Sequence, residues 1–78
     1  MNLYLLSQSE NRGYDTYDSC VVCAANETLA RETRPGYSNW GDLFNSWASK
    51  PANVTVEFLG QAGDRISAGV ICESFNAG

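Results

Sequence analysis

The feature of the chain closest to a catalytic motif is a pair of cysteines in Ser19-Cys20-Val21-Val22-Cys23-Ala24-Ala25. Redox C-x-x-C pairs sit at a helix N-terminus, where the helix dipole lowers a thiol pKa. Cys20 and Cys23 instead lie in a run of small and β-branched residues, which favours a strand. Residues so spaced on a strand point to opposite faces, so the two thiols cannot easily pair with each other. A structural zinc site needs about four Cys or His ligands, and the chain has three cysteines and no histidine. Cys20 and Cys23 therefore read as small buried apolar side chains. One of them faces the side of the sheet away from any helices. An intermolecular disulfide through Cys20 or Cys23 under oxidising conditions is carried as an option beside that reading, though not in a reducing cytosol. Cys72 shares its parity with Val70 and is expected to be buried.

The remaining reactive residues carry no better case for catalysis. Asp15 and Asp18 lack the alternating ligands, central glycine and terminal glutamate of a calcium loop, and two loop carboxylates do not define a glycosidase pair. Gly60, Gly63 and Gly69 are not followed by the G-K-[ST] of a phosphate-binding loop. Without histidine the usual base for a serine or cysteine nucleophile is missing. No enzyme activity, cofactor or metal is expected.

Binding is the better use of these side chains. The chain carries 5 Lys and Arg against 9 Asp and Glu, a net charge of −4. The basic residues are scattered, whereas nucleic-acid binding relies on concentrated positive charge. In Gly13-Tyr14-Asp15-Thr16-Tyr17-Asp18, tyrosines alternate with aspartates. Tyrosine is enriched at interface hot spots and carboxylates pair with arginine, so this composition suits a grip on a basic protein surface. The candidate contact residues are Glu10, Tyr14, Asp15, Tyr17 and Asp18, with Glu57 and Glu73 on a solvated sheet face as a second patch.

A single compact α+β domain over residues 1–78 must position these groups, because so short a chain cannot divide its apolar residues between two cores. Residues 1–8 have the apolar content of a strand, and residues 9–18 read as a long exposed loop. Residues 19–25 suit a central strand. Asn26 can cap a helix that carries Glu27 and Arg31 in the favourable i, i+4 order and stops at Pro35-Gly36. Trp40, Leu43, Phe44 and Trp47 fall at i, i+3, i+4 and i+7, which predicts a second short helix starting from Asn39 and ending at Ser49-Lys50-Pro51. Val54, Val56 and Phe58 alternate with Thr55 and Glu57, the pattern of a strand with one solvated face. Residues 69–73 resume extended structure.

The expected order is ββααββ: a four-stranded, mostly antiparallel sheet with two short helices on one face. Dimerisation is one source of stability for so small a core, and a homodimer is carried as an option. No basic segment followed by an apolar run opens the chain, and no apolar run is long enough to span a bilayer. A non-secreted, non-membrane, cytoplasmic protein is expected.

With Y-L-L-S-Q at 4–8, G-Y-D-T-Y-D-S at 13–19 and G-V-I-C-E-S-F-N-A-G at 69–78, the chain resembles small proteins encoded by phages, prophages and phage-like gene-transfer elements. Among them it is similar to anti-CRISPR proteins, in particular inhibitors of the type I-C system. The resemblance implies a stoichiometric inhibitor that binds Cas proteins of the Cascade surveillance complex, without direct nucleic-acid contact, and blocks recognition of target DNA in the bacterial host cell. The alternative from the same origin is a phage accessory or assembly protein that binds another phage or host protein.

Overall fold

The computed structural model describes residues 1–36, 39–43 and 45–77. They form an α+β arrangement in the order β1 (Asn2–Ser7), β2 (Thr16–Ala24), α1 (Glu27–Glu32), a 3-10 turn (Pro51–Asn53), β3 (Thr55–Gln61) and β4 (Gly69–Asn76). The strands make one sheet in the order β3-β1-β2-β4, and every neighbouring pair is antiparallel. The first hairpin thus occupies the centre, and the last two strands flank it on opposite edges.

The register of that hairpin sorts the side chains onto two faces. Tyr4 lies opposite Val22 and Leu6 opposite Cys20, while Leu3 lies opposite Cys23 and Leu5 opposite Val21. The first set faces the helical layer. Tyr4, Leu6, Cys20, Val22 and Ala24 pack with Ala30 of α1, with Trp47 and Ala48, and with Val54 to form the core. Fully burying such aliphatic side chains contributes roughly 1.5–3 kcal/mol each, so this face carries most of the fold's stabilisation.

Helix α1 forms where its cap predicts. The Asn26 side chain accepts a hydrogen bond from Leu29 N–H at 2.9 Å, which satisfies one of the orphan donors of the first turn. Glu27 and Arg31 approach to 3.8 Å one turn apart. The helix ends at Thr33, whose backbone N–H and hydroxyl donate to the carbonyls of Ala30 and Leu29. Pro35 then prevents continuation.

The expected second helix is not seen. Among the described residues of this stretch, 39–43 form turns, 45–49 are bent and irregular, and Phe44 lies outside the described residues. Gly41 has a φ of +78°, a left-handed conformation that interrupts a helix. The Asn45 side chain supplies a competing set of hydrogen bonds: its Oδ1 accepts from Trp47 N–H at 3.1 Å and from Arg34 Nη2 at 2.8 Å, and its Nδ2 donates to Ala48 O at 2.6 Å. Such local side-chain bonds offer the backbone an alternative to the helical ladder. The apolar stripe accordingly splits. Trp47 is fully buried, Trp40 lies half-buried with the Arg34 guanidinium 5.0 Å from its ring centre, and Leu43 is 89% exposed.

The loop expected over 9–18 is shorter than its composition suggests, because β2 begins at Thr16. Tyr17 and Asp18 belong to the strand, and Asp18 is the extra residue of a bulge between β2 and β4, where Tyr17 and Ser19 face consecutive partners on β4. A bulged position leaves its residue unpaired, which accommodates a poor strand former such as aspartate.

Candidate protein-contact surface

The β1–β2 connection is polar, yet it is tied down from inside. Gln8, buried at the end of β1, donates from Nε2 to the carbonyls of Asn11 and Tyr17, both at 2.7 Å. Its Oε1 accepts from the backbone N–H groups of Glu10 and Asn11, both at 2.8 Å. A single amide therefore satisfies two donors and one acceptor of the loop and one acceptor of β2, as a buried polar group must. Asn11 Nδ2 donates to Trp47 O, which joins the loop to the core segment below it. Farther out, Thr16 Oγ1 donates to Gly13 O at 2.7 Å, and Asp15 N–H donates to Asn76 O at 2.6 Å. Asp15 adopts a φ of +59°, a left-handed conformation that aspartate tolerates better than most residues.

The tip projects an aromatic and acidic surface. Tyr14 is 80% exposed, and Asp15 and Asp18 are exposed beside it in sequence. Asp18 Oδ1 accepts from Asn76 Nδ2 at 2.8 Å. The Tyr17 ring packs against Phe75 with ring centres 4.8 Å apart, so Tyr17 supports the surface more than it presents itself. Arg12, Gly13, Tyr14, Phe75, Asn76 and Ala77 line a hollow of about 480 Å³. Arg12 and Asp18 also border a larger polar hollow of about 630 Å³, together with Gln8, Asn53 and Asn76.

The expected contact residues thus divide. Tyr14, Asp15 and Asp18 share the tip with Tyr17 beneath them. Glu10, although exposed, is turned toward the 3-10 turn, where its carboxylate accepts from Asn53 Nδ2 at 2.6 Å and from Ser49 N–H at 3.2 Å. These hydrogen bonds, from Asn53 first and then Ser49, hold its pKa below the ordinary 4.5. Glu57 and Glu73 do not make one patch: Glu57 lies opposite Leu5 on β1, on the face away from the core, whereas Glu73 lies opposite Cys20, on the helical side. They also occupy opposite edges of the sheet.

Phe75, Asn76 and Arg12 complete the tip and were not among the expected residues. Phe75 and Asn76 arrive there only through the pairing of β4 with β2, a long-range contact without a local signal. Arg12 makes the surface mixed in sign rather than uniformly acidic.

The cysteines are arranged differently from expectation. Cys20 and Cys23 do point to opposite faces, but both are buried. Cys23 is only 1% exposed because the 62–68 segment crosses over it, with its Sγ 3.9 Å from Ile66 O. Neither thiol is therefore presented for cross-linking to another chain. Cys72, expected inside, is the exposed one. A bulge between Val21 and Val22 puts Cys72 on the face opposite to Val70, and β4 is exposed on both faces from Val70 to Phe75, so shared parity would not have buried Cys72 either. Burial chiefly, followed by the charge of Glu73, pushes the Cys20 thiol up to about 12, so it remains protonated and unreactive at neutral pH. Among the described residues no three Cys, Asp or Glu side chains gather in a way that would hold a metal ion.

No protein-family model, curated protein or solved structure matches the chain. Among the described residues no helix is long and apolar enough to cross a membrane.

Proposed function

We propose that the protein is an anti-CRISPR inhibitor that binds a type I-C Cascade complex stoichiometrically and prevents it from recognising target DNA. It acts in the cytoplasm of the bacterial host, without turnover, by occupying a surface of a Cas subunit. The observation that supports this reading is the pre-ordered tip: Tyr14 and Asp15 projected by a loop tied at its base by Gln8 and farther out by Thr16 and Asn76, with Asp18 and Phe75 alongside. A binding loop that is already ordered loses little conformational entropy on association. RNA-guided complexes hold nucleic acid in positively charged channels, and carboxylates beside an exposed tyrosine are suited to arginine-lined rims of such channels.

The test is to mix the purified protein with type I-C Cascade and follow co-elution together with binding of target DNA. Co-elution with loss of DNA binding is expected. A variant carrying Tyr14→Ala, Asp15→Asn and Asp18→Lys should fail to co-elute while its thermal melt stays close to that of the parent. Asparagine is used at position 15 because it tolerates the left-handed backbone there. Absence of co-elution by the parent protein would remove the proposal, and unaltered capture by the triple variant would move the contact away from the tip.

A further inference from the structure

The strand ends beneath the tip carry a line of hydroxyls. Ser7 shares with Leu3 and Leu5 the face of β1 turned away from the core. On that face it lies opposite Thr55 of β3 on one side and Ser19 of β2 on the other, and Ser19 lies opposite Ser74 of β4. Neighbouring strands are about 4.7–4.9 Å apart, so four hydroxyl residues cross the whole sheet at that interval. Thr55, Ser7 and Ser19 floor the polar hollow of about 630 Å³, which Arg12, Asp18, Asn53 and Asn76 border. Its volume falls within the roughly 300–1,000 Å³ of small-ligand sites.

The groups around this hollow have hydrogen-bonding capacity left over. Among the described residues the side chains of Arg12, Ser7, Ser19 and Thr55 have no hydrogen-bond or ion-pair partner. Asp18 uses Oδ1 to accept from Asn76 Nδ2 at 2.8 Å, which leaves its Oδ2 open and fixes the carboxylate. Asn53 and Asn76 donate through Nδ2 and each retain an unused side-chain carbonyl. Gln8, by contrast, has its amide filled on both sides and holds the wall in place, so the site is ordered before any ligand arrives.

The chemistry of the lining selects the ligand. It holds one cation, Arg12, and one carboxylate, Asp18, among hydroxyls and amides, so donors and acceptors occur together without net charge. A phosphate-bearing ligand would meet a single guanidinium beside a carboxylate, on a chain of net charge −4. An alcohol both donates and accepts, and a row of alcohols can use every group present. The adjoining hollow of about 480 Å³ shares Arg12 and Asn76 and adds the exposed rings of Tyr14 and Phe75. An aromatic face is electron-rich and attracts the C–H face of a sugar ring. We propose that this surface binds a neutral, extended oligosaccharide. It lies across the strands along the line from Thr55 to Ser74, with Arg12 and Asp18 on its hydroxyls and one ring against Tyr14 or Phe75. The site requires no Cas subunit and stands apart from the inhibitor reading.

The experiment titrates the isotope-labelled full chain with cellotetraose, with chitotetraose and with AMP, and follows the backbone amide resonances. At least one tetrasaccharide should give saturable shifts at millimolar concentration, confined to residues 7–19, 53–55 and 74–77. Ser19→Ala and Thr55→Val, which lie outside the tip, should each weaken binding severalfold. Arg12→Ala should weaken it by roughly tenfold, as for loss of a charge-assisted hydrogen bond. All three variants should keep the parent's amide spectrum away from the substitution, and Glu27→Gln on α1 should bind like the parent. Absence of a saturable shift with both tetrasaccharides overturns the proposal. So does binding of AMP alone, which would make the hollow an anion site, or saccharide binding that Arg12→Ala and Ser19→Ala leave unchanged.

Discussion

The 8–15 loop and strand β4 invert what their compositions suggest. The loop is polar and rich in turn formers, yet the backbone of Glu10 and Asn11 at its start is gathered onto one buried amide, Gln8, which also binds Tyr17 O of β2. Strand β4 carries Val70, Ile71 and Phe75, yet exposes all three. The difference shows that order in so small a domain follows from where hydrogen bonds and neighbours are available, and not from the hydropathy of a segment. The sheet has one helical layer, and that layer covers the centre and the β3 side.

Removing the amide should break the comparison most strongly. Gln8→Ala leaves the carbonyls of Asn11 and Tyr17 and two loop N–H groups without this partner, and an unsatisfied buried group costs about 1–3 kcal/mol. The expected result is a loss of stability in that range by urea denaturation, with rapid amide exchange across 9–15. An unchanged exchange pattern would mean that the loop is held by its outer contacts to Asn76 instead.

A smaller effect should come from acid. Because hydrogen bonds from Asn53 and Ser49 lower the folded-state pKa of Glu10 below 4.5, its contribution is complete above the unfolded-state pKa and is lost as pH falls through the folded-state value. The melting temperature of the parent should therefore drop faster than that of Glu10→Gln as pH is lowered from 4.5. Parallel curves for the two proteins would remove Glu10 from the account of how the loop is tied to the 3-10 turn.

The smallest effect is expected on β4. Val70→Thr keeps the branched shape at a partly exposed site, and substitutions away from buried features usually stay within about 0.5 kcal/mol. In dilute, reduced solution the urea midpoint should barely move. A large loss would show that β4 contributes to the monomer core more than its exposure implies.

Much of the architecture was legible because it rests on local patterns. The alternation Val54, Val56, Phe58 marked β3, and the Asn26 cap with Glu27 and Arg31 marked α1 at its true start. The second helix was misread because the i, i+3, i+4, i+7 spacing of Trp40, Leu43, Phe44 and Trp47 says nothing about Gly41 adopting a positive φ or Asn45 bonding its own neighbours. Bulges hid the rest. One absorbed Asp18 into β2, and another reversed the parity that had placed Cys72 inside. At the candidate site Tyr14, Asp15 and Asp18 could be picked out from composition. Phe75 and Asn76 required knowing which strand lies beside β2, and the separation of Glu57 from Glu73 required the strand order.

The segment 62–68 leaves one edge of the sheet and reaches the other, passing over Cys23 and bonding Met1 O through Ala62 N–H. It works as a strap across the end of the sheet, buckling the two outermost strands to each other. Peeling β4 away slackens that strap and bares the Cys23 thiol beneath it, so fraying at the far margin is felt at once on the opposite side.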